Sequence, residues 1–487
     1  MKVFFRINIP AMILVLAFAG PLTAQDYAPD QIIVNGATTS QLVSLGGVGV
    51  RAASHLGRGG DRLVTLRPGL SVKAAVALLS KLPNVKYACP NYIRKACVTP
   101  TDPGYTYQWG WPKIEAPAAW DTTTGSANIT VGVIDTGVDL QHPDLQANLW
   151  TNQLEAAGTA GVDDDGNGYI DDIHGWNAIT ETGNADDDDF ITPGHGTHCA
   201  GTIGAAANNG IGGVGINWTV RIMALKFLSF AGSGYDADAI ECIDYAIATN
   251  AMGSSNVRVL SNSWSGLGGS PALQAAIERA RDAGMVFVAA AGNEQFNIDS
   301  PGCVISPGGL NVSSIVTVVA SDQMDLRANF SNFGKSLCAL QAPGVDIYNT
   351  VVLEYGGYKL LAGTSMAAPH VAGVMALVLA TNPTLTVNQV IDRVLMNVDP
   401  VIADPVNDPL TCTSTAGRLN ANRAVKNTPN PAYNPDWDGD FIPNHWDNCP
   451  YVANPLQEDS DSDGVGDVCM PPNVPCPGFG CVGSVPP

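Results

Sequence analysis

The stretch VGVIDTGVD, residues 131–139, carries an apolar run into an acid, Asp135, and then into Thr136-Gly137. A short apolar run without polar alternation reads as a strand covered on both faces. A carboxylate closing such a strand is costly unless it has a partner. Asp135 therefore either caps the turn that follows or works with a group brought from elsewhere. Working outward, residues 129–134, 220–225, 257–262, 285–290 and 315–320 are all runs of this kind. Helical stretches lie between them, at 236–250 and at 271–283, the latter with Ser270 as N-cap and Pro271 in its first turn. The alternation predicts an α/β domain over residues 105–426, built on a doubly wound, mainly parallel sheet. Ligands of such sheets bind beyond the carboxyl ends of strands, and Asp135 is expected at one of those ends.

Three more stretches bear chemistry. In GHGTHCAGTIGA, residues 194–205, His195 opens a helix of small residues. His198 is either a core imidazole or half of a metal pair, but no third ligand follows nearby. In VAAAGNE, residues 288–294, Asn293 lies in a Gly turn just past an apolar strand. It is an ordinary turn residue or an amide N–H aimed at a developing oxyanion. In GTSMAAPHVAG, residues 363–373, Gly363 permits a sharp turn and Ser365 starts a helix whose N–H groups face any ligand. Pro369 comes early enough in that helix to be tolerated.

The chain of 487 residues exceeds one ordinary domain. Lys2 and Arg6 precede an apolar run at 11–20, and Leu22-Thr23-Ala24 offers a cleavage site before Gln25. This reads as a signal peptide over residues 1–24 and predicts a secreted protein. The run is too short for a membrane anchor, and the run at 371–380 reads as a buried helix. Eleven cysteines in an exported chain suggest disulfides with one thiol left over. Cys449/Cys469 and Cys476/Cys481 look like local pairs, and Cys89 and Cys97 are near neighbours. Pairing among Cys242, Cys303, Cys338 and Cys412 stays open, and Cys199 is the candidate free thiol.

The net charge of −21 is divided unevenly. Residues 25–95 hold nine basic and three acidic residues, and everything from residue 96 onward holds 13 basic and 42 acidic. Nothing here favours nucleic acid, which needs the opposite sign. Residues 25–95 read as a small α+β unit with strands at 62–66 and 84–88 and a helix at 71–82. Residues 161–190 contain ten acids and no Lys or Arg, a density that repels itself unless a cation joins it. Within DDDGNGYIDD, residues 163–172, Asp163, Asp165 and Asn167 alternate, Gly168 permits the turn, Tyr169 offers a carbonyl and Asp172 closes. That pattern resembles a calcium loop lacking its distant bidentate Glu. Residues 186–189 are less patterned and read as a solvated acidic loop.

In the tail, Asp436, Asp438, Asp440, the Ile442 carbonyl and Asp447 fall at positions 1, 3, 5, 7 and 12 of a second calcium pattern. Asp459, Asp461, Asp463 and Asp467 repeat its beginning. With Cys449 and Cys469, residues 434–469 resemble a thrombospondin type 3 repeat, a module filled with Ca2+. A Cys- and Pro-rich tail, 470–487, follows.

Asp135, His195, Asn293 and Ser365 come in the chain order known for subtilisin. Over residues 105–425 the sequence resembles the subtilisin-like (subtilase) serine peptidases, and HGTHCAG looks like the proteinase K and thermitase branch. Residues 60–95 are similar to the inhibitory propeptide of that family, which implies a propeptide over 25–95 with self-cleavage near residues 92–101. The resemblance implies a secreted, calcium-stabilised serine endopeptidase, monomeric, without a transmembrane anchor, acting on protein and peptide substrates and blocked by its own propeptide. It implies Ser365 as nucleophile, His195 as general base and acid, Asp135 as its orienting group and Asn293 as oxyanion donor. Substrate strands are expected against Ser263, Trp264, Ser265 and Gly266, and near Ala290 and Gly292, with Trp264 either a pocket wall or a core aromatic. Asp144 and Asn209, with the loop 208–213, match a calcium site of many subtilases. The rival reading is a catalytically silent, calcium-dependent adhesion protein on the same fold, which would have no use for the intact set of four.

Overall fold

A computed structural model describes residues 27–45, 49–93, 98–401 and 412–428. The expected signal peptide, residues 94–97 of the expected processing region 92–101, and the calcium repeat from Asp436 to Asp467 lie outside the described residues. The chain divides into two units, residues 1–96 and 97–487.

The first unit is a four-stranded antiparallel sheet in the order Val50–Leu56, Asp61–Leu66, Tyr27–Asn35, Tyr87–Tyr92, with helices Thr39–Ser44 and Val72–Leu79. Ser71 caps the second helix by accepting the Ala74 N–H at 3.2 Å. Ile32, Val34, Leu42, Val64, Leu66 and Leu79 form the core. The expected strand at 84–88 begins later, at Tyr87, because residues 82–86 turn first, with Val85 N–H on Leu82 O and Lys86 N–H on Asn35 O. The strands Tyr27–Asn35 and Val50–Leu56 were not expected. The latter exposes most of its residues and so carries no apolar signature.

The second unit holds a nine-stranded sheet. Its order is Asp399–Pro400, Gly417–Arg418, Cys338–Pro343, Ile315–Ser321, Val286–Ala290, Val257–Asn262, Gly125–Asp135, Thr219–Lys226, Gly175–Asn177. All neighbours run parallel except the pair at the Asp399–Pro400 edge. The expected doubly wound sheet is thus present, with the extra strands added at its margins.

Alternate residues of each strand serve opposite faces. Val286, Val288 and Ala290 face one core with the helices His195–Gly204 and Thr364–Thr381. Phe287 and Ala289 face another with the helices Asp236–Met252 and Pro271–Asp282. Burying such side chains stabilises the fold by about 1.5–3 kcal/mol each for the larger ones. The Thr364–Thr381 helix is buried from Thr364 to Leu379. It is long and apolar enough to span a bilayer, but here it runs through the core. Small residues let the His195 helix come close: a Cβ on Gly196 would lie 2.1 Å from the Gly137 carbonyl oxygen. Asp135 and His195 meet because of that approach.

Candidate active site

Asp135 ends its strand fully buried. One carboxylate oxygen accepts the Thr136 N–H at 2.7 Å and also bonds His195 Nδ1 at 2.7 Å. The strand end is fixed from the neighbouring strand as well, where Phe227 and Leu228 donate N–H groups to the Asp135 carbonyl. Lys226, opposite Asp135 in register, sends its buried ammonium to Thr136 O at 2.6 Å, Leu228 O at 2.9 Å and Asp188 Oδ1 at 2.6 Å. That cation was not singled out in the sequence; an apolar strand ending in Lys is its only signal.

His195 starts its helix after Gly194. Burial works against its protonation, but the charge of Asp135, their hydrogen bond, and the charges of Asp187 and Asp189 prevail and raise its pKa. The loop 186–189, expected to be solvated, is so at Asp186 and Asp188 but not at its other two acids. Asp187 and Asp189 are 8% and 0% exposed. Asp187 Oδ2 accepts the Thr197 N–H at 3.0 Å and its hydroxyl at 2.6 Å, and Asp189 Oδ2 accepts the His195 N–H at 3.2 Å. They serve the unpaired N–H groups of the helix's first turn. Their place just before a helix start was the available signal. His198 is a core imidazole: Nε2 bonds Ile347 O at 2.9 Å, and burial lowers its pKa to about 3.

Ser365 lies in the first turn of the Thr364–Thr381 helix, 9% exposed. Pro369 has no N–H to give to the Ser365 carbonyl four residues back. That carbonyl instead accepts Ser263 Oγ–H at 2.8 Å and Cys199 Sγ–H at 3.4 Å. In return the Ser365 hydroxyl donates to Ser263 O at 2.9 Å. The Cys199 sulfur also lies within 4.8 Å of an Asp135 oxygen and a His195 nitrogen, which puts the Ser365 backbone near the Asp–His pair. Burial pushes the Cys199 thiol well above its ordinary pKa, which leaves it an inert hydrogen-bond donor.

Asn293 Oδ1 accepts the Thr364 N–H and hydroxyl, both at 3.0 Å. This fixes the amide so that its NH2 is the outward group on an exposed residue. A cleft of about 490 Å3 opens beside His195, lined by Ser263, Trp264, Ser265 and Gly266 from one wall and Leu228 and Tyr235 from another. Trp264 lines the cleft and packs edge-on against Phe227 at 4.7 Å. Ala290 is inside the sheet, paired with Val318, and Gly292 is buried with its N–H on Thr364 Oγ1.

Two groups of acids stand apart from the cleft. Asp163 Oδ1 accepts the Gly166 and Asn167 N–H groups and Oδ2 that of Gly168. Asp165 and Asp172 share the amides of Asn152 and Asn167. The Tyr169 ring packs edge-on against Trp176 and Tyr245. Glu155, outside the motif and unanticipated, brings an oxygen within 4.8 Å of oxygens of Asp163 and Asp165. Burial raises the Asp172 pKa to about 6. In the second group Asp144, fully buried, meets Asn209 Nδ2 at 2.6 Å, and burial raises its pKa to about 7. Asp102, also unanticipated, accepts the N–H groups of Asn208, Asn209 and Gly210. Cys338 is buried in one small cluster with the partly buried Cys303, while Cys242 is buried in a different core.

A parallel α/β sheet with an acid, an imidazole and a serine gathered at its carboxyl edge defines the hydrolase class the sequence resembled. Residues 126–426 match the subtilase family, and the chain belongs to it. Residues 18–91 match the fervidolysin N-terminal prodomain, and residues 432–457 and 458–473 match thrombospondin type 3 repeats. Subtilisin-like protease 1 of Plasmodium berghei (strain Anka) is 35% identical over 305 residues, covering 58% of this chain and 48% of that protein. The chain thus spans about half the length of this relative. The thermophilic serine proteinase of Bacillus sp. (strain AK1) is 34% identical over 331 residues, 68% of this chain and 72% of the relative. A solved protease of Pseudoalteromonas arctica superposes with a TM-score of 0.52 at 27% identity, covering 67% of this chain and 99% of that one.

Proposed function

We propose that the chain is a secreted serine endopeptidase made as a precursor. The observation that carries this is the 2.7 Å bond from buried Asp135 to His195, in one neighbourhood with Ser365 and beside an open cleft. Ser365 turns its hydroxyl from the Ser263 carbonyl to His195, gives up the proton and attacks the peptide carbonyl. His195 then returns that proton to the leaving amine, while Asp135 holds the ring and stabilises the imidazolium. The Asn293 amide and the Ser365 N–H, unpaired in a helix's first turn, receive the oxyanion. Losing one such donor costs about 10²–10³ in kcat. Extended substrate lies along Ser263–Gly266 and takes main-chain hydrogen bonds.

The basic first unit acts as an intramolecular inhibitor of the acidic catalytic unit, with opposite charge aiding association. The acids at 155–172, and Asp102 and Asp144 with the Asn209 amide, fit calcium. The carboxylates are gathered without a cationic side chain among their hydrogen-bond partners in the described residues, and two of them, Asp144 and Asp172, are raised toward neutrality by burial. A bound calcium supplies the missing positive charge. The thrombospondin-type repeats add further calcium through Asp436–Asp467.

Ser365→Ala tests the reading. Secreted material should remain as uncut precursor and should not digest casein. A mutant that matures and digests casein like the parent removes the nucleophile assignment.

A further inference from the structure

We propose that Asn332 is a positioning residue for the oxyanion donor, acting through the loop that carries Asn293; this rests on the catalytic reading above. Asn332 is fully buried and touches the reaction through no atom of its own. Its side chain is committed to one short segment. Nδ2 donates to Ala291 O at 2.9 Å and to Glu294 Oε2 at 2.7 Å. Oδ1 accepts the N–H groups of Glu294 at 3.0 Å and Phe296 at 2.7 Å. Its backbone N–H adds a bond to Gly292 O at 2.9 Å. These partners bracket Asn293 on both sides.

The bracket is closed by Glu294. The carboxylate oxygen that Asn332 holds is the one that accepts the Asn293 N–H, at 2.9 Å. Asn332 therefore fixes Asn293 at one remove, through a charged hydrogen bond, which is stronger than a neutral one. On its other side the Asn293 side chain is held by Thr364. The donor is thus gripped at its backbone by the Asn332–Glu294 pair and at its amide oxygen by the helix bearing Ser365.

Gly292 shows how tightly the bracket is built. Its φ is +97°, and a Cβ there would lie 2.4 Å from Asn332 Nδ2 and 2.7 Å from Glu294 Oε2. The turn has room for the Asn332 amide only because residue 292 has no side chain. A planar amide giving two bonds and taking two does for this irregular segment what a neighbouring strand does for a regular one. An oxyanion donor contributes only when it is preorganised. Loosening the bracket should weaken transition-state stabilisation and leave ground-state binding alone.

The test is a double-mutant cycle with kcat and KM measured separately on one peptide substrate. Asn293→Ala should lower kcat by about 10²–10³. Asn332→Ala should lower kcat about tenfold at nearly constant KM, the mark of an interaction made in the transition state. The double variant should be no slower than Asn293→Ala alone, since Asn332 acts only through Asn293. Factors that multiply, or a change confined to KM, would overturn the proposal, as would unchanged kcat in Asn332→Ala. If Asn332→Ala does not accumulate, Glu294→Ala replaces it, because it removes the acceptor through which Asn332 holds the Asn293 N–H. It should lower kcat at nearly constant KM and add nothing to Asn293→Ala. Unchanged kcat in Glu294→Ala, or factors that multiply with Asn293→Ala, overturns the proposal. An Asn293→Ala enzyme with parental kcat would instead overturn the oxyanion role itself.

Discussion

Residues 163–172 and residues 186–189 are two acidic loops of one catalytic unit, similar in composition and opposite in what their acids hold. In the first, carboxylates turn toward one another and toward neutral amides, with Glu155, Asp163 and Asp165 drawn to a common point. In the second, they turn away from one another. Asp187 goes to Thr197, Asp189 to the His195 N–H, and Asp188 to Lys226. Repulsion between neighbouring acids is relieved in both. An external cation fits the first loop, and a helix N-terminus and a buried lysine serve the second.

The largest effect expected from this contrast comes with calcium removal. At free calcium near a thousand times Kd, binding stabilises by about 4 kcal/mol. Excess EGTA should therefore lower Tm by roughly 6 °C for a catalytic unit of about 300 residues. A melting temperature indifferent to EGTA would break the comparison, because the first loop would then hold itself together as the second does. Asp187→Ala should come next. It strips the Thr197 N–H and hydroxyl of a buried acceptor, which costs about 2–3 kcal/mol. Thermal melts in calcium should show that loss with the EGTA response intact, whereas a variant that lost its EGTA response would place Asp187 in a calcium site.

The central sheet was legible because parallel strands are apolar on both faces, so 129–134, 220–225 and 257–262 stood out as runs. The stretches around Asp135, His195, Asn293 and Ser365 stood out because small residues crowd around each, as they must where chains approach closely. Residues acting at a distance were not legible. Glu155 reaches the 163–172 motif from a separate helix, Asp102 reaches 208–210 across about a hundred positions, and Asn332 carries no local pattern. The strand Val50–Leu56 faces outward and left no periodicity. The 186–189 loop was half misread for the opposite reason. Its composition signals solvent, which Asp186 and Asp188 meet, while the burial of Asp187 and Asp189 comes from the helix they cap.

A smaller effect distinguishes the loops by pH. The His195 pKa stands above its ordinary value with help from Asp187 and Asp189. In the proposed mechanism neutral His195 is the base, so activity should fall as pH drops through that raised pKa. Asp189→Asn removes one negative charge, which makes protonation of His195 harder. The acid limb of kcat/KM should then move to lower pH, by less than about one unit. Asp163→Asn, in the other loop, should leave the limb in place. A limb moved equally by both variants would mean that overall charge, not the helix contact, sets the His195 pKa.

The smallest effect belongs to Asp188, the one acid of its stretch whose partner is a cation. Its side chain is 60% exposed and that of Lys226 only 4%. Breaking a buried ion pair usually leaves a charge stranded and costs several kcal/mol. Lys226 would not be stranded, since it keeps the carbonyls of Thr136 and Leu228, and water reaches the carboxylate side. Asp188→Asn should therefore lose no more than about 1 kcal/mol, the range of a solvent-screened pair. Raising the salt concentration should shrink the difference from the parent. A loss of 3 kcal/mol or more in chemical denaturation would show that Lys226 depends on Asp188 for its charge. The second loop would then be a closed electrostatic unit, with lysine in the place of the calcium proposed for the first.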